Sequence, residues 1–132
     1  MNSILIIDNQ PLLRLGLKRL ISANYKGYHV YEAGNALNLP SSIDLTEMSI
    51  IVWGLEPDSD VVDIDDIHTL RNKFPQANLI VYSDNISHWR SLTGFSKKAV
   101  AYISKQASEK EHICCLQSVM DGKTYVYQAA NQ

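Results

Sequence analysis

Cysteine is scarce in this sequence, and its placement argues against a fold built on disulfides. The 132 residues include only two cysteines, Cys114 and Cys115, which are adjacent. Neighbouring residues of a helix point their side chains apart, so a structural disulfide between these two is not expected. The cysteine content favours a reducing, cytoplasmic setting.

Long apolar runs and an excess of positive charge are lacking too. No run approaches the roughly 20 apolar residues that a membrane-spanning helix needs, and the N-terminus lacks a basic segment followed by a hydrophobic stretch. The formal net charge is -2, so the chain lacks the excess of basic residues that binds a nucleic-acid phosphate backbone. We therefore expect no membrane contact, and contact with DNA only through a separate domain.

Patterns typical of metal and nucleotide sites are missing as well. The four histidines lack the paired spacing of zinc ligands. The acidic stretch 56–66 lacks the glycine turn and terminal glutamate of an EF-hand, and a solvated loop before a helix N-terminus explains it better. Asn9, Gln10 and Pro11 stand where a glycine-rich phosphate loop would follow the first strand. We expect no metal, no cofactor and no enzyme activity.

What the sequence does contain is an alternation of strand and helix patterns. Short apolar segments rich in β-branched residues are separated by segments with helical spacing, and the connections are short. The apolar content is 45%, ample for one core. This predicts one doubly wound α/β domain with a parallel sheet and helices on both faces. The predicted strands are 3–8, 28–33, 49–53, 78–83 and 99–103, and the predicted helices begin at Pro11, Asn35, Ile64, Ile86 and Ser108.

Residues at the ends of these strands occur at the spacing of a known family. Asp8 closes the first strand, Ser83 closes the fourth, Lys105 follows the fifth, and Tyr102 precedes that lysine by three residues. With these residues the sequence resembles the receiver domain of bacterial response regulators over essentially its whole length. The resemblance implies a flavodoxin-like fold, with a five-stranded sheet of order 2-1-3-4-5 and five helices.

Further details resemble one subgroup of these regulators. Pro11 after the first strand, Arg14 and Gly16 in the first helix, and the residues Gly-Lys-Thr-Tyr at 122–125 look like the subgroup that carries a LuxR-type helix-turn-helix output domain. This implies a receiver-like domain over 1–127, and a tail or the start of a linker to an absent output domain over 128–132. DNA would be contacted only through that separate C-terminal domain.

The phosphorylation site that the resemblance implies is degenerate. Asn9 replaces the second acid of the family, and Trp53 stands at the phosphoacceptor position, four residues before Pro57. An indole can neither attack phosphorus nor bind magnesium, which requires oxygen ligands. Burying the ring would contribute roughly 4–6 kcal/mol, so we expect it to plug the former site. The degenerate site comprises Asp8, Asn9, Trp53, Ser83, Tyr102 and Lys105, with an Asp8–Lys105 ion pair as a remnant.

Two other interpretations of Trp53 remain open at this point. It is an ordinary core aromatic if the chain is unrelated to receivers. Alternatively, Glu56 or Asp58 takes over as phosphoacceptor, although both lie beyond the predicted strand end.

Surplus apolar residues on two helices indicate a dimer surface. Leu15 lies opposite the apolar face of the first helix, and the resemblance leaves Ile113 and Met120 of the fifth predicted helix without inward positions. The shared outer face of these two helices is a dimer surface in the subgroup. We therefore expect a homodimer through Leu15, Ile113 and Met120, against the alternative of scattered exposed hydrophobic residues.

The resulting functional hypothesis is a regulatory domain of a LuxR-type transcriptional regulator that acts by dimerisation, without phosphorylation. A stand-alone adaptor that binds another protein is the first alternative. A sensor that binds a small molecule near Asp8, Asn9 and Lys105 is the second.

Overall fold

A six-stranded parallel sheet with helices on both faces is the framework of the chain. The computed structural model describes residues 2–39, 47–56, 62–94 and 97–128. The strand order is β2-β1-β3-β4-β5-β6. The elements are β1 Asn2–Ile7, α1 Pro11–Asn24, β2 Tyr28–Ala33, β3 Met48–Gly54, α2 Ile64–Lys73, β4 Asn78–Tyr82, α3 Ile86–Thr93, β5 Ala99–Ile103, α4 Glu109–Met120 and β6 Tyr125–Val126.

Alternation along the strands divides the core into two clusters, one on each face of the sheet. In β3, Ile51 and Trp53 belong to the cluster covered by α2 and α3, here called the α2–α3 face. Ile50 and Val52 belong to the cluster covered by α1 and α4, the α1–α4 face. Successive residues of a strand point to opposite faces, so β1, β3, β4 and β5 each contribute to both clusters.

The helices begin and end where local chemistry favours it. The Ser108 hydroxyl accepts a hydrogen bond from the Glu111 amide at the start of α4, as the predicted capping box requires. Gly122 follows the end of α4 with a φ of 77°, a left-handed conformation that suits glycine. At α2, Asp63 is the N-cap and Asp65 lies in the first turn, so these acidic residues complement the helix dipole.

The strand order 2-1-3-4-5 is confirmed, and two details of the predicted fold are corrected. The described residues contain four helices rather than five, because 34–38 forms bends. There the Asn35 side chain accepts hydrogen bonds from the amides of Leu37 and Asn38, a local turn that competes with helix formation. Pro40 lies outside the described residues. β6 was not predicted, since two residues are too few for an alternating pattern.

The remaining general expectations concern cysteines and membrane spans. Cys114 is exposed, Cys115 is buried, and both thiols are free. Burial raises the pKa of Cys115 to about 12, so this thiol stays protonated near neutral pH. None of the helices in the described part of the chain has the length and apolar character to cross a membrane.

Candidate functional site

The candidate site lies at the carboxyl ends of β1, β3, β4 and β5. Ile7 pairs with Trp53, Trp53 with Val81, and Val81 with Tyr102. This register brings the residues that follow each strand to one edge of the sheet, where ligands of open α/β folds bind. Asp8, Gly54, Ser83 and Lys105 therefore gather at the same edge.

The centre of the site is a buried ion pair between Asp8 and Lys105. The Lys105 Nζ lies 2.8 Å from the Asp8 Oδ2, and the two side chains are 9% and 0% exposed. The Asp8 Oδ1 accepts a hydrogen bond from the Gln10 amide. Oδ2 has no hydrogen-bond partner with good geometry. Its negative charge is therefore balanced by the electrostatic attraction of the nearby Lys105 ammonium. The ion pair expected from the sequence is present.

The backbone of Asp8 is fixed by its neighbours on two sides. Its amide donates to the carbonyl of Ala33 in β2, and its carbonyl accepts a 2.6 Å hydrogen bond from Arg14 Nη1. Arg14 in turn bonds Glu32 of β2 through its Nε at 3.2 Å. The acid is thus held in place by β2 and α1 as well as by Lys105.

Trp53, at the position that the resemblance assigns to the phosphoacceptor, is buried. It is 3% exposed and packs in the core cluster of the α2–α3 face with Ile7, Val81 and Tyr102. Strand alternation turns the next residue, Gly54, to the other side, and there the Gly54 backbone lies against the Asp8 carboxylate. The backbone of Gly54 therefore closes one side of the site around Asp8.

We expect Gly54→Ala to destabilise the fold by about 1–3 kcal/mol, the cost of overpacking. A Cβ at position 54 would lie 2.6 Å from the Asp8 Cγ and closer still to Oδ2, and Asp8 cannot move without straining its ion pair. The measurement is the free energy of unfolding in urea. Gly16→Ala is the control, since a Cβ there meets nothing within 4 Å and alanine favours the helix by about 0.5–1 kcal/mol. Similar stabilities of the two variants would contradict the close contact at Gly54.

Tyr82 connects the ion pair to α4, a link that the sequence did not reveal. The Lys105 Nζ lies 5.9 Å from the centre of the Tyr82 ring, within range of a cation–π contact. The His112 Nδ1 lies 2.8 Å from the Ser108 carbonyl and therefore carries the proton, so Nε2 accepts from the Tyr82 hydroxyl at 3.1 Å. Burial, with smaller contributions from the charges of Asp8 and Asp84, raises the pKa of Tyr82. The hydroxyl therefore remains a neutral donor.

Contacts outside the ion pair engage Ser83 and Tyr102. The Ser83 hydroxyl lies 2.6 Å from the His88 Nδ1 in α3, and both residues are buried. Tyr102 is 5% exposed within the α2–α3 cluster, and its carbonyl accepts from the Tyr127 amide. No sequence pattern pairs Ser83 with His88, so this contact was not predicted.

The residues at this edge do not fit a magnesium ion. Asp8 supplies one carboxylate, which Lys105 already neutralises, and Asn9 is exposed. Within the described ranges no group of three His, Cys, Asp or Glu side chains is placed to hold a metal. Glu56 is exposed, while Pro57 and Asp58 lie outside the described residues.

The predicted dimer residues differ in how much apolar surface they expose. Leu15 is 40% exposed. Ile113 is half-buried, and Met120 is half-buried against the core cluster of the α1–α4 face, so the expectation that Met120 lacks a place in the core is wrong. The sequence missed Leu12, which is 82% exposed and lies three residues from Leu15, on the same side of α1.

Solved structures with this architecture identify the fold. A LuxR family DNA-binding response regulator from Silicibacter pomeroyi superposes with a TM-score of 0.74 at 20% identity, covering 98% of this chain and 99% of that one. The non-phosphorylated receiver domain of the stress response regulator RcsB from Escherichia coli gives 0.76 at 16% identity, covering 96% and 98%. This chain has the receiver fold of response regulators.

Two transcriptional regulators are similar to this receiver-fold chain in sequence. The transcriptional activator protein ExaE from Pseudomonas putida is 23% identical over 128 residues, covering 95% of this chain and 58% of ExaE. The transcriptional regulatory protein MctR from Rhizobium johnstonii is 26% identical over 125 residues, covering 92% and 56%. The chain thus spans little more than half the length of these relatives. No family model matches it.

Proposed function

We propose that this chain is a pseudo-receiver, the regulatory and dimerisation domain of a LuxR-type DNA-binding transcriptional regulator that acts without phosphorylation. One observation carries the proposal. The acid that follows β1, Asp8, is buried and paired with Lys105 at 2.8 Å, while the residue in the acceptor register, Trp53, is an indole in the core. The receiver fold and the transcriptional regulators similar in sequence support the regulatory role.

The chemistry of the site supports independence from phosphorylation. Phosphoryl transfer to a receiver needs a carboxylate nucleophile and a magnesium ion that screens the incoming charge. Trp53 offers no nucleophilic oxygen, and the Asp8 carboxylate is enclosed by Lys105 and Gly54. This crowding also weighs against the alternative of a small-molecule site near Asp8, Asn9 and Lys105.

The outer side of α1 and α4 supports dimerisation. A groove of about 570 Å³ runs between the two helices and is lined by Leu12, Arg19 and Glu109 among others. In a two-fold dimer, Arg19 of one copy can meet Glu109 of the other, because the same patch faces itself. A solved neighbour of 18% identity and TM-score 0.71 is described as two RcsB dimers bound to two parallel DNAs. We propose that a homodimer forms here through Leu12, Leu15 and Ile113.

Leu12→Glu combined with Leu15→Glu is expected to convert the dimer to a monomer. Two carboxylates in a small apolar interface cannot be desolvated without a partner charge. Light scattering at high micromolar concentration measures the change, and adding a small phosphodonor with magnesium should leave the mass of the wild-type particle unaltered. Leu37→Glu is the control, because Leu37 is 66% exposed and lies after β2, away from the groove. A monomeric wild-type protein would end the dimer proposal, and dimerisation only after phosphodonor treatment would refute independence from phosphorylation.

A further inference from the structure

A pocket with an apolar floor and a positive rim opens at the amino ends of β4 and β5. Its volume is about 650 Å³, and its lining includes Leu70, Phe74 and Leu79, which are all buried. It is thus at the end of the sheet opposite to Asp8 and Lys105. Nothing in the proposed regulatory mechanism uses this pocket.

The charge around the pocket is of one sign. Arg71, Lys97 and Lys98 line it, and all three are exposed. No carboxylate is among the described lining residues, although the chain as a whole has 14 acidic and 12 basic residues. Arg71 and Lys98 also interact with other parts of the protein, so the argument depends on their charge and position alone.

Helix electrostatics explains only part of this cluster. Arg71 lies in the last turn of α2, where a cation complements the helix dipole. Lys97 and Lys98 come instead from the turn before β5. The fold therefore brings cations from two separate segments to the rim of one apolar cavity.

We propose that this pocket binds a small organic anion, with its phosphate or carboxylate group held by Arg71, Lys97 and Lys98. Arginine binds such groups through two parallel hydrogen bonds and lysine as a point charge. The apolar or aromatic body of the ligand would rest on Leu70, Phe74 and Leu79. The volume lies within the range of small-molecule sites, roughly 300–1,000 Å³.

Paired probes test the proposal by NMR titration of the ¹⁵N-labelled chain. Adenosine monophosphate and benzoate are the anions, and adenosine and benzamide are their neutral counterparts. We expect saturable shifts of the Leu79 and Lys98 amides with at least one anion and none with its neutral counterpart. Saturation by adenosine monophosphate alone assigns a phosphate ligand, and saturation by benzoate alone a carboxylate. No saturation by either anion, or equal binding of the neutral compounds, overturns the proposal.

Reversing the charge of the two rim lysines tests whether they hold the anion. Lys97→Glu combined with Lys98→Glu should weaken binding of the anion at least roughly tenfold, a loss that two reversed charges readily produce. Lys26→Glu combined with Lys110→Glu changes the net charge equally at exposed positions outside the pocket and should leave the affinity unchanged. If the double variant fails to fold by circular dichroism, Lys97→Glu alone serves. Equal losses in the rim and control variants refute a site at this pocket.

Discussion

Replacing Trp53 by alanine is expected to lower the free energy of unfolding by about 3–5 kcal/mol, the usual cost of deleting a large buried aromatic. The ring is 3% exposed and packs in the α2–α3 cluster, where neighbouring side chains cannot collapse fully into the space it leaves. Urea denaturation followed by circular dichroism measures the loss. In this fold the indole of Trp53 acts as a core residue.

Trp89→Ala is the matched control for this experiment. Trp89 is half-buried in α3 and packs at the margin of the same cluster, so its removal should cost about 1 kcal/mol, as an average substitution does. Comparable losses at Trp53 and Trp89 would show that Trp53 is not the central packing residue described above.

Lys105→Met is expected to destabilise the chain by about 3–5 kcal/mol, because it leaves the Asp8 carboxylate buried without a compensating charge. The Asp8 side chain is 0% exposed, so water cannot replace the ammonium without opening the site. Adding Asp8→Asn to Lys105→Met should restore much of the loss, since an amide needs no counter-charge. The free energies of unfolding of both single variants and the double variant give the coupling energy.

Lys18→Met is the control for the ion pair. The Lys18 Nζ lies 3.8 Å from Glu32, with 46% and 29% of the two side chains exposed, and such surface pairs contribute about 0–1 kcal/mol. If Lys105→Met costs no more than Lys18→Met, or if Asp8→Asn fails to rescue it, the buried pair does not hold the site together.

The sequence predicted the strand order and the pairing of Asp8 with Lys105 better than it predicted the contacts of the other side chains. The strand order followed from the resemblance, and the positions of Asp8 and Lys105 after their strands made their pairing predictable. The direction of the Trp53 ring followed from strand alternation, which places it with Ile51 rather than with Val52. That the indole plugs the former site stays a prediction.

Other features depend on contacts that sequence patterns do not encode. The hydrogen bond between Ser83 and His88 and the one between Tyr82 and His112 form only once α3 and α4 dock on the sheet. β6 depends on pairing with β5, at Ala101 and Tyr102. These features are set by tertiary packing, which overrides the weak local preferences of short segments.

If the chain acts without phosphorylation, as proposed, control acts on something other than a phosphoryl group at this edge of the sheet. Concentration-dependent dimerisation through α1 and α4 is one such route. An anion bound at the pocket near Arg71 and Lys97 would act at the opposite end of the sheet. The oligomeric state and the anion affinity are separate measurements, so failure of one proposal leaves the other standing.

The most direct test of the central proposal is the intact mass of the protein after incubation with a small phosphodonor and magnesium. A phosphorylatable receiver in a parallel reaction shows that the donor is active, and Glu56→Gln and Asp58→Asn variants locate an acceptor if one exists. We predict that the mass stays unchanged. A stoichiometric gain of one phosphoryl group on the wild-type chain would contradict the account.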